Sequence, residues 1–141
     1  MAKLIAEETG AELFEIVPEE PYTAEDLAYN NDNCRANREM NDDTARPAIS
    51  SDLSGVSGCE AVYLGYPIWW GTAPRIIQTF LDSGALDGAT VYLFCTSGGS
   101  GMGNTNKELA PSCAGASLRE GKVFSARCGE SELKEWAKKF N

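Results

Sequence analysis

Two stretches of the chain are nearly continuous runs of apolar residues with the length of a β-strand, residues 60–66 (EAVYLGY) and 89–97 (ATVYLFCTS). Neither run alternates apolar with polar residues, which is typical of parallel strands that are covered on both faces. Between them, residues 73–84 (APRIIQTFLDSG) place apolar side chains at helical spacing, with Pro74 near the start and Gly84 at the end. This order of strand, helix and strand predicts a right-handed βαβ unit.

The start of the chain carries two weaker patterns. Residues 1–10 contain good helix formers and end at Gly10, which predicts the last two turns of a helix. Residues 11–17 (AELFEIV) mostly alternate apolar with acidic residues, which favours a strand at the edge of a sheet.

The end of the chain continues the alternation of strands and helices. A glycine-rich turn leads into a predicted helix over residues 104–112, followed by a last strand over residues 122–128. Residues 130–140 place their apolar side chains on one stripe, which predicts a closing helix. The whole pattern predicts a doubly wound α/β sheet in a single domain spanning residues 1–141.

Residues 18–58 form a long polar excursion before the first apolar run. Thr23 and Asp26 have the spacing of a capping box, which marks the start of a helix. A connection of this length usually contains helices of its own or borders a site, so we expect one or two short helices between Thr23 and Asn41.

Composition narrows the class of protein. The chain has 141 residues, 43% of them hydrophobic and 23% charged, and no apolar run approaches the roughly 18 residues of a membrane span. The first residues also lack the apolar core and cleavage site of a secretory signal, so a cytoplasmic location is expected, without a membrane partner.

Charge and missing residue types exclude several functions. The net charge is −9 and the basic residues form no cluster, which argues against a nucleic acid partner. The chain contains no histidine, so Ser-His and Cys-His hydrolytic sites are excluded. Its five cysteines include no C-x-x-C pair, which predicts reduced thiols, buried as small apolar side chains, and no metal site; a redox role for one cysteine is the alternative.

Two loops follow the buried strands and form the candidate ligand-binding site. Ligands of open α/β sheets bind at the carboxyl ends of the strands, where the tryptophan loop (residues 67–71, PIWWG) and the glycine loop (residues 96–103, TSGGSGMG) are expected to meet. An aromatic surface beside bare backbone suits a planar, electron-poor ring. The alternatives are that Trp69 and Trp70 pack under the following helix and that the glycine loop is a mobile surface turn.

The glycine loop matches neither the dinucleotide fingerprint nor a phosphate-binding Walker loop. A phospho-acceptor receiver domain shares the predicted architecture, but it would need a lone aspartate where this strand ends in Gly65, Tyr66 and Pro67. That class is therefore rejected.

The sequences YPIWWGTAPRIIQTFLDS and TSGGSGMGN, together with AELFEIVPEEPYT, resemble the bacterial flavodoxin-like FMN proteins from residue 1 to at least residue 107. The resemblance implies a flavodoxin-like doubly wound sheet and FMN as cofactor. It implies that the tryptophan loop packs on the flavin ring and offers N–H groups to its pyrimidine edge, while the glycine loop borders the ring from another side. The implied flavin-contacting residues are Pro67, Ile68, Trp69, Trp70, Gly71, Thr96, Ser97, Gly98, Gly99, Gly101 and Gly103.

The sequence also departs from this family. Such proteins begin with an apolar strand, the central one of their sheet, and a Ser/Thr/Gly-rich loop for the FMN phosphate; this sequence has neither, so we expect an N-terminally truncated domain. Loss of that strand would separate residues 11–17 from residues 60–66 and expose two edges. The two edges would then pair directly, take a second chain as in a domain-swapped homodimer, or leave the domain poorly stable.

The expected function is that of a flavodoxin-like FMN-binding redox protein, acting in electron transfer or as a quinone-reductase-like oxidoreductase, with binding impaired by the missing phosphate loop. The alternative is a flavin-free remnant of the fold that dimerises or serves as an interaction module. No residue is predicted to be catalytic: Tyr66 is available as a proton donor, but we expect it to pack. The sequence does not identify the redox partner.

Overall fold

Three parallel strands form the central sheet of the computed structural model, which describes residues 1–140. They are β1 (Ala61–Pro67), β2 (Thr90–Ser97) and β3 (Ser117–Ser125), hydrogen-bonded in the order β1-β2-β3. β1 and β2 occupy the two apolar runs and pair in register, with Tyr66 opposite Cys95. β3 begins before the predicted start at residue 122, and its pairing with β2 shifts between Tyr92 and Phe94.

Helices cover both faces of the sheet, as a doubly wound fold requires. On one face α1 (Ala2–Thr9) packs against α5 (Glu130–Lys138), and Ile5, Phe94 and Trp136 are buried between helices and strands. On the other face α3 (Arg75–Asp82) buries Ile77 and Phe80 against the sheet. The predicted α/β architecture and the βαβ unit are therefore confirmed.

The polar excursion contains one short α-helix, α2 (Arg35–Met40). The capping box forms at residues 23–26, upstream of α2. The Thr23 N–H donates to Asp26 Oδ2 at 2.9 Å, and the Asp26 N–H donates to Thr23 Oγ1 at 3.2 Å. Only a turn follows it. The prediction of a short helix between Thr23 and Asn41 is confirmed, but the capping box does not mark its start.

After β2 the chain forms α4 (Thr105–Leu109), which continues as a 3₁₀ turn at Ala110–Cys113. Pro111 lies at the start of this turn and cannot donate the next α-helical hydrogen bond, which explains why the predicted helix changes type. A further 3₁₀ turn at Leu53–Val56 precedes β1.

The predicted strand over residues 11–17 is wrong. The segment forms no regular secondary structure, although Phe14 and Ile16 pack against the core. Its neighbours are α3, where Phe14 stacks on Phe80, and residues 48–51, where the Ser50 N–H donates to the Val17 carbonyl at 2.8 Å. Alternation reports which side chains are buried, whereas a strand also needs a neighbouring backbone in register. Direct pairing with β1 does not occur within residues 1–140.

All five cysteines are free thiols. Cys34, Cys95 and Cys113 are buried, as predicted, whereas Cys59 is exposed and Cys128 is half-buried. Burial raises the pKa of the Cys95 thiol to about 11, so this thiol stays protonated near neutral pH and is a poor nucleophile.

Candidate functional site

The tryptophan loop and the glycine loop lie side by side at the carboxyl edge of the sheet. The Ile68 N–H donates to the Thr96 carbonyl at 2.8 Å, and the Asn104 N–H donates to the Gly71 carbonyl at 3.2 Å. Gly103 has φ +58 and approaches Gly71 so closely that a Cβ at this position would overlap the Gly71 carbonyl oxygen. The predicted meeting of the two loops is therefore a backbone-to-backbone contact that needs glycine at position 103.

A tight turn presents the second tryptophan. Trp69 and Thr72 exchange hydrogen bonds of 2.8 and 3.1 Å, while Trp70 and Gly71 between them have φ of 49 and 80. Two positive φ angles are the geometry of a type I′ turn. Within residues 1–140, Trp70 is the one non-glycine residue with positive φ, a conformation that costs about 1–2 kcal/mol. Packing and hydrogen bonds around the turn must therefore hold it.

The two tryptophans have different surroundings. Trp69 is half-buried, and its ring meets Tyr22 edge-on, with centroids 5.5 Å apart and planes at 77°. Trp70 is 67% exposed, and its indole Nε1–H donates to Asn37 Oδ1 at 2.6 Å. The exposure of Trp70 removes the alternative that this ring packs under α3.

The glycine loop has an anchored base and an open outer face. Ser97 Oγ accepts from the N–H groups of Gly99 at 3.2 Å and Ser100 at 2.8 Å, and the Met102 sulfur lies 3.1 Å from Cys95 Sγ. A Cβ built on Gly98, Gly99 or Gly101 would meet no atom within 4 Å. The backbone of these three glycines is thus open to a ligand.

Free backbone donors lie on both loops. Within residues 1–140, the N–H groups of Trp70, Gly71, Gly98 and Gly101 have no hydrogen-bond partner. The N–H groups of Ile68 and Trp69 are used inside the protein, so these two residues shape the site rather than offering donors.

The polar excursion supports the tryptophan loop, which the sequence pattern did not reveal beyond the length of the segment. The Tyr22 hydroxyl donates to Glu39 Oε1, and the Arg35 guanidinium lies 3.9 Å from the centre of the Tyr22 ring. Burial, followed by this hydrogen bond to Glu39, raises the pKa of Tyr22 well above its usual value. Tyr22 therefore remains neutral and serves as an aromatic support for Trp69.

Arg75, at the start of α3, ties this helix to α2. Its side chain is 6% exposed, and Nη2 donates to the Met40 carbonyl at 2.9 Å and to Asp43 Oδ1 at 3.2 Å. The Glu39 carbonyl accepts from Nε at 3.3 Å, and Glu108 Oε2 lies 3.6 Å from Nη1. These partners occupy the guanidinium, so Arg75 is a structural residue and not a free cation for a ligand.

Tyr66 packs, as expected. The residue is 5% exposed, and its hydroxyl is buried without a hydrogen-bond partner within residues 1–140. Burial, with a smaller contribution from Cys95, raises the pKa of Tyr66 far above its usual value. This hydroxyl is buried away from solvent and stays protonated, so it is not a proton donor at the open face of the loops.

The fold and the site together define a doubly wound α/β protein with an aromatic surface and open glycine backbone at the carboxyl edge of its sheet. The chain belongs to the flavodoxin family, whose model matches residues 1–140. Its three-stranded sheet is consistent with a flavodoxin-like fold that has a smaller sheet.

Solved structures support this assignment. A candidate flavoprotein from Bacteroides eggerthii DSM 20697 is 39% identical, with a TM-score of 0.87 over 97% of this chain and 86% of that one. Another from Bacteroides uniformis ATCC 8492 is also 39% identical, with a TM-score of 0.89 over 97% and 87% of the two chains. A flavoprotein from Lactobacillus acidophilus NCFM, solved in complex with FMN, is 24% identical with a TM-score of 0.61 over 96% and 87%, and this likeness shows the fold alone.

Among curated proteins, none matches the chain. Within the described residues, no helix has both the length and the apolar character needed to cross a membrane.

Proposed function

We propose that the chain binds the isoalloxazine ring of FMN between the tryptophan loop and the glycine loop, and that it works as a redox protein. The observation that carries this proposal is the side chain of Trp70, which is 67% exposed beside open glycine backbone although its own backbone is strained. An aromatic ring that is exposed, held by a hydrogen bond and carried on a strained backbone is unusual unless it binds a ligand.

The two loops have different roles in binding the flavin ring. Trp70 supplies the aromatic face, and the free N–H groups of Trp70 and Gly71 suit the carbonyl oxygens at the pyrimidine edge of the ring. The glycine loop borders the ring, with the open N–H groups of Gly98 and Gly101 as further donors. The remaining predicted residues fix the conformation of the two loops: Pro67, Ile68, Trp69, Thr96, Ser97, Gly99 and Gly103.

The residues fit the ring better than the phosphate. Neither loop contains Lys or Arg, and the net charge of −9 repels a dianion. We therefore expect FMN to bind more weakly than it would with a phosphate clamp. When bound, FMN supplies one- and two-electron chemistry, while the protein orients the ring and excludes water. Acidic surroundings disfavour an anionic reduced ring, which lowers its potential. The two roles that fit are electron transfer and quinone-reductase-like turnover.

Titration with FMN and, in parallel, with riboflavin tests the proposal. Quenching of flavin fluorescence should saturate for both ligands, with Kd values within about threefold of each other, because the phosphate adds no net attraction. Added salt should tighten FMN but leave riboflavin unchanged, since it screens the repulsion between the phosphate and the protein. No quenching by either flavin up to about millimolar concentration would refute binding of the flavin ring. A large preference for FMN would refute the claim that the protein does not clamp the phosphate.

One observation favours a second function, a flavin-free interaction module. Within residues 1–140, the outer edge of β1 has no strand partner, and such an edge readily pairs with another chain. Light scattering on the flavin-free protein separates the two functions. A stable, colourless homodimer supports the module, whereas a monomer that binds flavin supports the redox protein.

A further inference from the structure

Asn37 is a buried polar residue beneath the tryptophan loop. It is 3% exposed and lies inside the short helix α2, where asparagine is a poor helix former. A buried amide needs partners for both its NH₂ group and its oxygen, because an unpaired polar group in the interior costs about 1–3 kcal/mol.

The Asn37 amide has every partner it needs. Its NH₂ group donates to the Tyr29 carbonyl at 2.8 Å and to the Asn31 carbonyl at 2.9 Å, and its Oδ1 accepts the indole N–H of Trp70 at 2.6 Å. Two carbonyls on one side and an N–H on the other fix the orientation of the amide. The Asn37 N–H in turn donates to Cys34 Sγ at 3.4 Å, so the residue is held at both ends.

This network fixes the plane of the Trp70 indole. The turn sets the backbone of Trp70, but an exposed side chain would still change rotamer freely. The hydrogen bond to a buried, fully satisfied acceptor restrains that rotation while leaving the ring 67% exposed. Preorganised surfaces bind more tightly because less side-chain freedom is lost on binding.

We propose that Asn37 is a positioning residue for the ring site, acting through the indole of Trp70, so that the aromatic surface is already in place before a flavin arrives. The inference rests on the proposed function only for the identity of the ligand. The position of Trp70 in the flavin-free protein is independent of it.

A double-mutant cycle tests this role. Asn37→Ala should weaken riboflavin binding about fivefold, since one net hydrogen bond no longer restrains the ring. Trp70→Phe keeps an aromatic face but removes the indole N–H, and it should weaken binding by a similar factor. Adding Asn37→Ala to Trp70→Phe should then have no further effect. Asn33→Ala, which alters an exposed asparagine of the same segment, is the matched control and should leave binding unchanged.

The indole N–H of Trp70 gives a readout that needs no ligand. In the flavin-free protein its exchange with solvent should be at least about fivefold slower than in Asn37→Ala, while the exchange of the Trp136 indole stays the same. Equal exchange in the two proteins would overturn the proposal, as would a loss of riboflavin affinity that Asn37→Ala causes equally in the Trp70→Phe background. A wild-type protein that binds no flavin would instead refute the proposed function, and the exchange measurement would still decide the position of Trp70.

Discussion

The tryptophan loop and the glycine loop meet at one edge of the sheet, but the protein holds them in different ways. Side chains from the polar excursion, Tyr22 and Asn37, support the tryptophan loop from outside. The glycine loop is anchored from within, through Ser97 and Met102, and there is open space beside Gly98, Gly99 and Gly101, where an added Cβ would meet no atom within 4 Å. The tryptophan loop thus provides an aromatic surface, and the glycine loop leaves open space beside its backbone. Substitutions in the two loops should therefore affect stability and flavin binding differently.

The largest effect is expected at the point where the loops touch. Gly103→Ala places a Cβ against the Gly71 carbonyl oxygen and strains a positive φ, so we expect a loss of about 3 kcal/mol in the free energy of unfolding. Gly101→Ala is the matched control, because its Cβ points into open space and should change that free energy by less than about 0.5 kcal/mol. Urea denaturation measures both. Equal stabilities of the two variants would contradict the close contact.

The adjacent tryptophans should separate support from binding. Trp69→Ala removes a half-buried ring from Tyr22 and should lower the free energy of unfolding by about 2 kcal/mol. Trp70→Ala removes an exposed ring but also the hydrogen-bond donor to Asn37 Oδ1, so it should lower the stability less, by about 1 kcal/mol, while weakening riboflavin binding at least about tenfold. Unfolding curves and flavin titrations of both variants check this division. A Trp70→Ala protein that binds riboflavin like the wild type would contradict it.

The smallest effect concerns pH, through the half-buried Tyr22 and the buried Tyr66. Folding raises the pKa of Tyr22 and of Tyr66 above the ordinary value of about 10, mainly by burial. Their stabilising contribution is therefore fully present below about pH 10 and is lost as the pH rises above it, because the unfolded chain gives up these protons first. Unfolding measured from pH 8 to pH 11 should show this decline.

Tyr66→Phe and Tyr22→Phe should each flatten the alkaline decline. At neutral pH they should differ, since the Tyr66 hydroxyl has no partner and its removal costs little, whereas the Tyr22 hydroxyl bonds Glu39 and its removal should cost about 1 kcal/mol. An unchanged alkaline slope in both variants would contradict the raised pKa values.

Patterns in the sequence predicted the parts of the fold that depend on local periodicity and continuous burial. The two apolar strands, α3 and the meeting of the two loops all follow from such patterns and from the rule that parallel strands end at one edge. Residues 11–17 were misassigned as a strand because alternation identifies a buried side but not a backbone partner.

The support of the site was not predictable in the same way. Asn37 and Trp70 are 33 residues apart, and Tyr22 contacts Trp69 only because the polar excursion folds back over the loop. Such contacts depend on tertiary packing, which spacing along the chain does not encode. The one signal available was the length of the excursion, since a connection of that length usually contains helices of its own or borders a site.

The indole N–H signals of the three tryptophans in an ¹⁵N-labelled sample, followed while riboflavin is added, test the central claim most directly. The claim is that a flavin ring stacks on Trp70. The Trp70 signal, assigned with Trp70→Phe, should shift most, the Trp69 signal should shift less, and the signal of Trp136, a buried residue of α5, should stay in place. No shift up to about millimolar riboflavin, or equal shifts of all three signals, would contradict it.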